Sequence, residues 1–362
     1  MRREISVRSK WVKYGAVLLV FGLVGALVAG CAGGSTGGTG TTTDGKATIK
    51  AAMVTDIGGL GDKSFNDISA AGLKMAADEL GIETKIVESK APTDYESNLT
   101  QLANAGYNPI FAVGFLMTDT VSKVSTETPD VVYGGVDEFF DPTIPNVVGI
   151  GFRDQEAGYL AGVLAASLTT QVSVDPRIND KPILGFVGGM EIPPVQAYQA
   201  GFIAGAKKTN PAIEVKSIYT GSFTDQQKGF EAGKALIEQG ADIVFAAAGQ
   251  TGLGSAKACQ ENKALFIGVD FDQYITIPGI GDTIITSAVK GIDKAIFSII
   301  KQAVDGTLKG GENISLGLKE DISGIAPYHD WDTKVPAETK KLVDDAKADI
   351  IAGTITPPRT VQ

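Results

Sequence analysis

The side chains able to do chemistry stand directly after short apolar runs. Asp56 follows AAMVT, and Phe65 and Asn66 follow the glycine-rich GGLGDKS. Asp119 follows VGFLMT, Asp137 follows YGGV, Met190 follows FVGG and Phe223 follows YTGS. Gly249 closes FAAA, Asp270 closes FIGV and Lys290 closes TSAV. Carboxylates accept hydrogen bonds, an ammonium donates them, and aromatic faces stack on flat rings. Glycine lets the backbone approach a ligand closely. Such a set suits a neutral molecule that carries hydroxyls. Taken singly, each residue has an ordinary explanation: an aspartate after a strand often caps the next helix, and Phe223 can belong to the core.

Other chemistries find less support. His329 is the only histidine, which nearly excludes a histidine-based metal site or catalytic triad. The Asp-Phe-Asp at 270–272 is too short to indicate a metal site. In the first loop Asp62 precedes Lys63, where a phosphate-binding loop needs glycine, and the dinucleotide glycine spacing is absent. The expectation is a binding protein with no cofactor, no metal and no catalytic residue.

The elements that position these residues alternate from Ala47 onward. Strand candidates are TIKAAMVTD, TKIVES, NPIFAVG, DVVYGGVD, NVVGIGF, PILGFVGG, EVKSIYTG, ADIVFAAAG, ALFIGVD and DTIITSAVK. Amphipathic helices are predicted at 65–81, 94–106, 118–128, 154–169, 192–208, 224–240 and 252–263, and a further one at 290–307. Apolar strands separated by helices predict α/β architecture with parallel sheets covered on both faces. Gly81, Gly106 and Gly240 suit left-handed helix ends. The polar segment 170–182 separates two similar series, 48–151 and 183–286. Each contains a strand ending in Gly-Val-Asp, at 135–137 and 268–270. Two like lobes are therefore expected: 47–151 plus about 287–310, and 152–286 plus about 311–356. Ligands of parallel sheets gather beyond the C-terminal strand ends, where the candidate residues stand.

The N-terminus directs the chain out of the cytoplasm. Residues 1–13 carry Arg2, Arg3, Arg8, Lys10 and Lys13 against Glu4, and the uncharged AVLLVFGLVGALVA follows at 16–29. That run is shorter than the ~20 residues of a spanning helix, so residues 1–30 are predicted to be a signal peptide. Val28-Ala29-Gly30-Cys31 resembles a bacterial lipobox, which predicts lipidation of Cys31, with palmitate-type acylation. Residues 31–46, rich in Gly, Ser and Thr, form a flexible linker. The expected location is the outer face of the cell membrane, held by lipid. Removing residues 1–30 takes away five of the 32 basic groups and one of the 42 acidic ones, leaving a net charge of −14. So acidic a surface makes nucleic acid an unsuitable partner. Cys259 is then the one remaining cysteine, so no internal disulfide can form.

The motifs VTDIGGLGDKSFN, VGFLMTD, VGGMEIP, GSFTD, AAAGQTG, GVDFDQ and TSAVK, in this order behind a lipobox, resemble the basic membrane protein family of lipoproteins. Those proteins are similar to the substrate-binding subunits of ABC importers for purine nucleosides. The resemblance covers about 47–310. It implies a type I periplasmic-binding-protein fold, two doubly wound parallel-sheet lobes joined by a hinge. It implies a monomer that works with ABC permease subunits and binds adenosine, guanosine or inosine. The base would stack on Phe65 and Phe223, and Asp56, Asn66, Asp137, Gly249, Asp270 and Lys290 would form the polar set. Where the family commonly has two acids in the first loop, this chain has Gly61 before Asp62. Alternatives from the residues themselves are a sugar, a small signalling molecule or another polar metabolite on the same scaffold, or a nucleoside hydrolase using the strand-end carboxylates.

Overall fold

The computed structural model describes residues 49–361. The expected signal peptide, Cys31 and the expected linker lie outside them. Two six-stranded sheets form the frame. The first contains β1 (Lys50–Thr55), β2 (Glu83–Glu88), β3 (Ile110–Val113), β4 (Tyr133–Val136) and β5 (Val147–Phe152). Its helices are α1 (Phe65–Leu80), α2 (Tyr95–Asn104) and α3 (Thr118–Glu127). After α4 (Asp154–Leu168) come β6 (Ile183–Gly188), α5 (Pro193–Thr209), β7 (Glu214–Tyr219), α6 (Gln226–Glu238), β8 (Ile243–Ala247), α7 (Gln250–Glu261) and β9 (Leu265–Asp270). The short α8 (Gln273–Thr276), β10 (Ile284–Lys290), α9 (Ile292–Asp305), β11 (Glu312–Leu316), β12 (Ser323–Ile325) and α10 (Ala337–Ala352) complete the chain.

Strand order is β11-β5-β4-β3-β1-β2 in one sheet and β12-β10-β9-β8-β6-β7 in the other. The two orders are the same pattern repeated, which is the physical content of the Gly-Val-Asp echo. All pairings are parallel except β12 on β10. The ten strand candidates coincide with β1–β10: the inner strands are buried on both faces and read as continuous apolar runs, while the edge strands β2 and β7 are partly exposed. Gly81, Gly106 and Gly240 have φ of 66°, 80° and 104°, the left-handed ends expected of them.

The chain passes between the sheets three times, after β5, after β10 and after β11. These passages place the lobe boundaries slightly away from those expected. β10 keeps residues 287–290 in the second sheet, and β11 adds residues 312–316 to the first, parallel to β5. The sequence of β11, ENISL, is half exposed and carries no apolar run; only its edge pairing makes it a strand.

Each lobe is filled on both faces of its sheet. Met53, Phe111, Phe152, Ile296 and Ile299 pack under α1 and α9, while Val54, Tyr95, Leu99 and Tyr133 pack under α2 and α3. In the second lobe Leu160, Phe186, Phe202, Phe245 and Trp331 form one face and Val244, Leu236 and Phe266 the other. α4 and α5 touch through backbone. A Cβ on Gly158 or Gly162 would collide with the Tyr198 or Phe202 carbonyl, and one on Gly201 or Gly205 with the Gln155 or Tyr159 carbonyl.

Candidate functional site

A cavity between the two sheets enclosing about 570 Å³, its open mouth included, is lined from the C-terminal strand ends of both lobes. The first lobe supplies Asp56, Phe65, Asn66 and Asp137, and the second supplies Phe223, Gly249, Asp270 and Lys290. All eight were expected from the sequence. Met190, also expected, is half-buried at the end of β6 but does not line the cavity; Ile192, Pro194 and Val195 at the start of α5 do. Asp119 is exposed in the first turn of α3, the ordinary place for an acid near a helix N-terminus.

The loop from Ile57 to Ser64 is held open by its own lobe's acids. Asp56 Oδ1 accepts from Gly58 N at 2.8 Å and from Asn66 Nδ2 at 3.0 Å. Asp62 accepts from the backbone N–H of Ser64, Asn66 and Asp67, which caps α1, and from Asn66 Nδ2. With its amide nitrogen committed to two carboxylates, Asn66 presents Oδ1 as an acceptor, and that atom is buried without a partner. Burial pushes Asp56 up to about 6, although the Asn66 and Gly58 hydrogen bonds oppose it. Burial likewise pushes Asp62 up to about 7 against its three backbone donors. Two acids deep in one loop thus sit close to neutrality.

Beside this loop lies a charge cluster. Lys290 is 2 % exposed. Its Nζ stands 2.7 Å from both oxygens of Asp137 and 2.9 Å from Asp154 Oδ1. The Asp154 contact is an ion pair without hydrogen-bond alignment, since that oxygen has no hydrogen-bond partner. The same ammonium lies over the rings of Phe152, Phe65 and Tyr198 at 4.9, 5.4 and 5.5 Å. Burial alone would lower the lysine, but the charges of Asp137, Asp154 and Asp270 outweigh it and hold it raised and protonated. One ammonium cannot balance three carboxylates. Burial pushes Asp154 up to about 7 despite Lys290, and Asp137 and Asp270 add to that.

Asp270 is placed differently from Lys290's partners. It accepts from Ser64 Oγ at 2.7 Å and from Tyr198 Oη at 3.2 Å, and burial raises it. Asp137 and Asp270 both have left-handed φ, 66° and 61°, so the two Gly-Val-Asp strands end in the same sharp turn. Aspartate is among the few residues that tolerate that conformation. The aromatic candidates are half-buried, one per lobe. Phe223 lies against Gly189, where a Cβ would overlap its ring.

Sequence reasoning missed Tyr198, Asp154 and Phe115. Asp154 stands two residues after β5, behind Arg153, and was open to the strand-end rule. Phe115 follows β3 closely but reads as core. Tyr198 sits within α5, where its spacing looks like any buried helical position. Among the described residues no group of three or more His, Cys, Asp or Glu could hold a metal ion. Cys259 is buried, and burial alone raises its thiol.

Comparison with known proteins agrees with this architecture. Residues 49–359 match the family model described as ABC transporter substrate-binding protein PnrA-like. An uncharacterised lipoprotein of Pyrococcus abyssi is 35% identical over 357 residues, covering 94% of this chain and 84% of its own. Basic membrane protein A1 of Borrelia garinii is 32% identical over 314 residues, covering 85% and 88%. The crystal structure of an ABC-transporter solute-binding protein from Aeropyrum pernix K1 superposes with a TM-score of 0.78 at 29% identity, covering 85% of this chain and 92% of that one. A second solute-binding protein, from Conexibacter woesei, gives 0.68 at 25% identity, covering 87% and 100%. The fold is the type I periplasmic solute-binding fold, and the family and its structural neighbours are binding proteins rather than enzymes. With sequence, fold and cleft in agreement, this chain belongs to the PnrA-like family of ABC transporter substrate-binding proteins.

Proposed function

We propose that the cleft binds a purine nucleoside such as adenosine, guanosine or inosine and delivers it to the permease subunits of an ABC importer. The observation that carries this reading is the composition of the cavity: two aromatics from each lobe, Phe65 and Phe115 facing Tyr198 and Phe223, an unpartnered Asn66 acceptor, and the Asp137–Lys290–Asp270 group. A nucleoside has a flat base, an edge of N–H groups, hydroxyls and no formal charge. Phe65 and Phe223 stack on the base. Lys290 and the acids around it meet the ribose, Asp270 exchanging its Ser64 or Tyr198 partner for a sugar hydroxyl. Stacking contributes about 1–3 kcal/mol per base, and a hydrogen bond to a charged group about 1.5–3 kcal/mol. Two stacks and a few such bonds exceed the ~8 kcal/mol of micromolar affinity before ordering costs are subtracted. Excess negative charge in the cleft disfavours a nucleotide phosphate.

Titration calorimetry with guanosine, inosine, adenosine and ribose tests the reading. Nucleosides are expected to bind and free ribose to bind far more weakly. Phe65→Ala or Phe223→Ala should each cost about 1–3 kcal/mol of nucleoside affinity with little change in thermal stability. Equal affinity for ribose and nucleoside, or full affinity in both variants, would remove the stacking argument.

The protein works as a monomer tethered outside the cell membrane through Cys31. Relatives of this chain are named lipoproteins, and no helix among the described residues is long and apolar enough to cross a membrane. One acyl chain holds a protein only weakly, whereas two or more anchor it. Cells fed labelled palmitate should label the native chain and not Cys31→Ser, which should accumulate as the longer precursor. Equal labelling of the two would dismiss Cys31 as the anchor.

A further inference from the structure

The loop from Ile57 to Ser64 supplies Gly58 and Asp62 to the cavity wall, and its hydrogen bonding is divided by direction. Its N–H groups are bound within the first lobe: Gly58 to Asp56, Leu60 to Glu88, Gly61 and Lys63 to Asp67, and Ser64 to Asp62. Two of its carbonyls point the other way and are taken by side chains of the second lobe. Gln250 Nε2 donates to Gly58 O at 2.8 Å. Gln273 Nε2 and Thr276 Oγ1 donate to Lys63 O at 3.2 and 3.1 Å. Gln250, Gln273 and Thr276 do not line the cavity. They stand on α7 and α8, which follow β8 and β9, the strands that lead into Gly249 and Asp270. The donors therefore move with half of the cleft and the carbonyls with the other half.

We propose that Gln250, Gln273 and Thr276 are positioning residues that set how long the ligand stays bound, by fastening the Ile57–Ser64 loop of the first lobe to the second without touching the ligand. This rests on the nucleoside reading only for the choice of probe. The loop is stiffened by its own acids, so it acts as a rigid flap whose two free carbonyls are the catch. All three donors are uncharged, so the catch does not add to the crowded charge of the cleft, and it stays engaged across the pH range in which Asp56 and Asp62 titrate. Release of ligand requires these bonds to break, so the effect is read on the dissociation rate.

Gln273 also holds its own strand end, its Oε1 accepting from Val269 N, so it is left in place for the test. The full-length Gln250→Ala/Thr276→Val variant is compared with the native protein for release of radiolabelled guanosine and 2′-deoxyguanosine. Each neutral hydrogen bond removed should speed release by roughly two- to tenfold, giving about 4- to 100-fold for the pair. Association should stay near native, and the ratio of the two affinities should be unchanged, since neither residue reads the ligand. A native release rate, or a loss that alters the ribo/deoxy ratio, overturns the proposal. Hydrogen–deuterium exchange of residues 57–64 and 249–251 in the ligand-free protein gives an independent reading. Faster exchange there, confined to the variant, supports the catch, and identical exchange overturns it. If guanosine fails to bind the native protein, the nucleoside reading falls and the exchange measurement alone decides the catch.

Discussion

Replacing Lys290 by Met is expected to abolish ligand binding and to lower the stability of the ligand-free protein by about 3–5 kcal/mol. Methionine fills nearly the same volume, so packing against Phe152, Phe65 and Tyr198 is retained and the loss is electrostatic. Asp137 and Asp154 lose the ammonium they share, and Asp270 loses its nearest positive charge. Desolvated carboxylates without a counter-charge take up protons. Their folded-state affinity for protons then exceeds that of the unfolded chain, so they favour the fold at low pH, and this contribution disappears as pH rises through the raised values. The deficit of the variant should therefore be larger at pH 8 than at pH 5. Urea denaturation of both proteins at the two pH values checks it. A variant as stable as the native protein at pH 8, or one whose deficit is independent of pH, would contradict the charge cluster described around Lys290.

Gly162→Ala should cost about 3 kcal/mol, at the upper end of what overpacking usually does, although alanine is the better helix former by about 1 kcal/mol. The added methyl meets the Phe202 carbonyl and the Ala206 amide across the α4–α5 contact. Those groups are backbone within a helix and cannot rotate aside. α5 carries Tyr198, so a shift of the helix also moves the hydroxyl that bonds Asp270. Gly252 is the control. It lies in α7, and the nearest atoms to an added Cβ are the Ala246 and Ala248 methyls at 3.7 and 3.9 Å. Gly252→Ala should be neutral or slightly stabilising. If thermal denaturation shows the two substitutions to be equally mild, α4 and α5 do not pack backbone to backbone in solution.

Local rules reached far into this protein because its inner strands are buried on both faces. A run such as IVFAA in β8 can satisfy neither water nor an amphipathic helix, so its type is written in its composition. The same runs mark their own C-terminal ends, and parallel sheets open ligand sites there. That is why Asp56, Phe65, Asn66, Asp137, Phe223, Gly249, Asp270 and Lys290 could be selected before any contact was known. The rule names an edge and not a direction, so it also selected Met190 and Asp119, which stand at that edge but outside the cavity.

What the sequence determined by itself was the series of elements, their repetition in two lobes, and the edge at which ligand chemistry gathers, since each element is written in a short stretch of neighbouring residues and the repetition shows when the two series are laid side by side. Tertiary structure alone decided the rest. β11 became a strand because β5 offered it an edge. Tyr198 entered the site because glycines let α5 lie directly on α4. Lys290 took Asp137 and Asp154 as partners, while Asp270, twenty residues before it, turned to Ser64 on the opposite lobe. Such choices follow from where the chain crosses between sheets. A carboxylate and an ammonium are drawn together by distance in space, which separation along the chain does not fix.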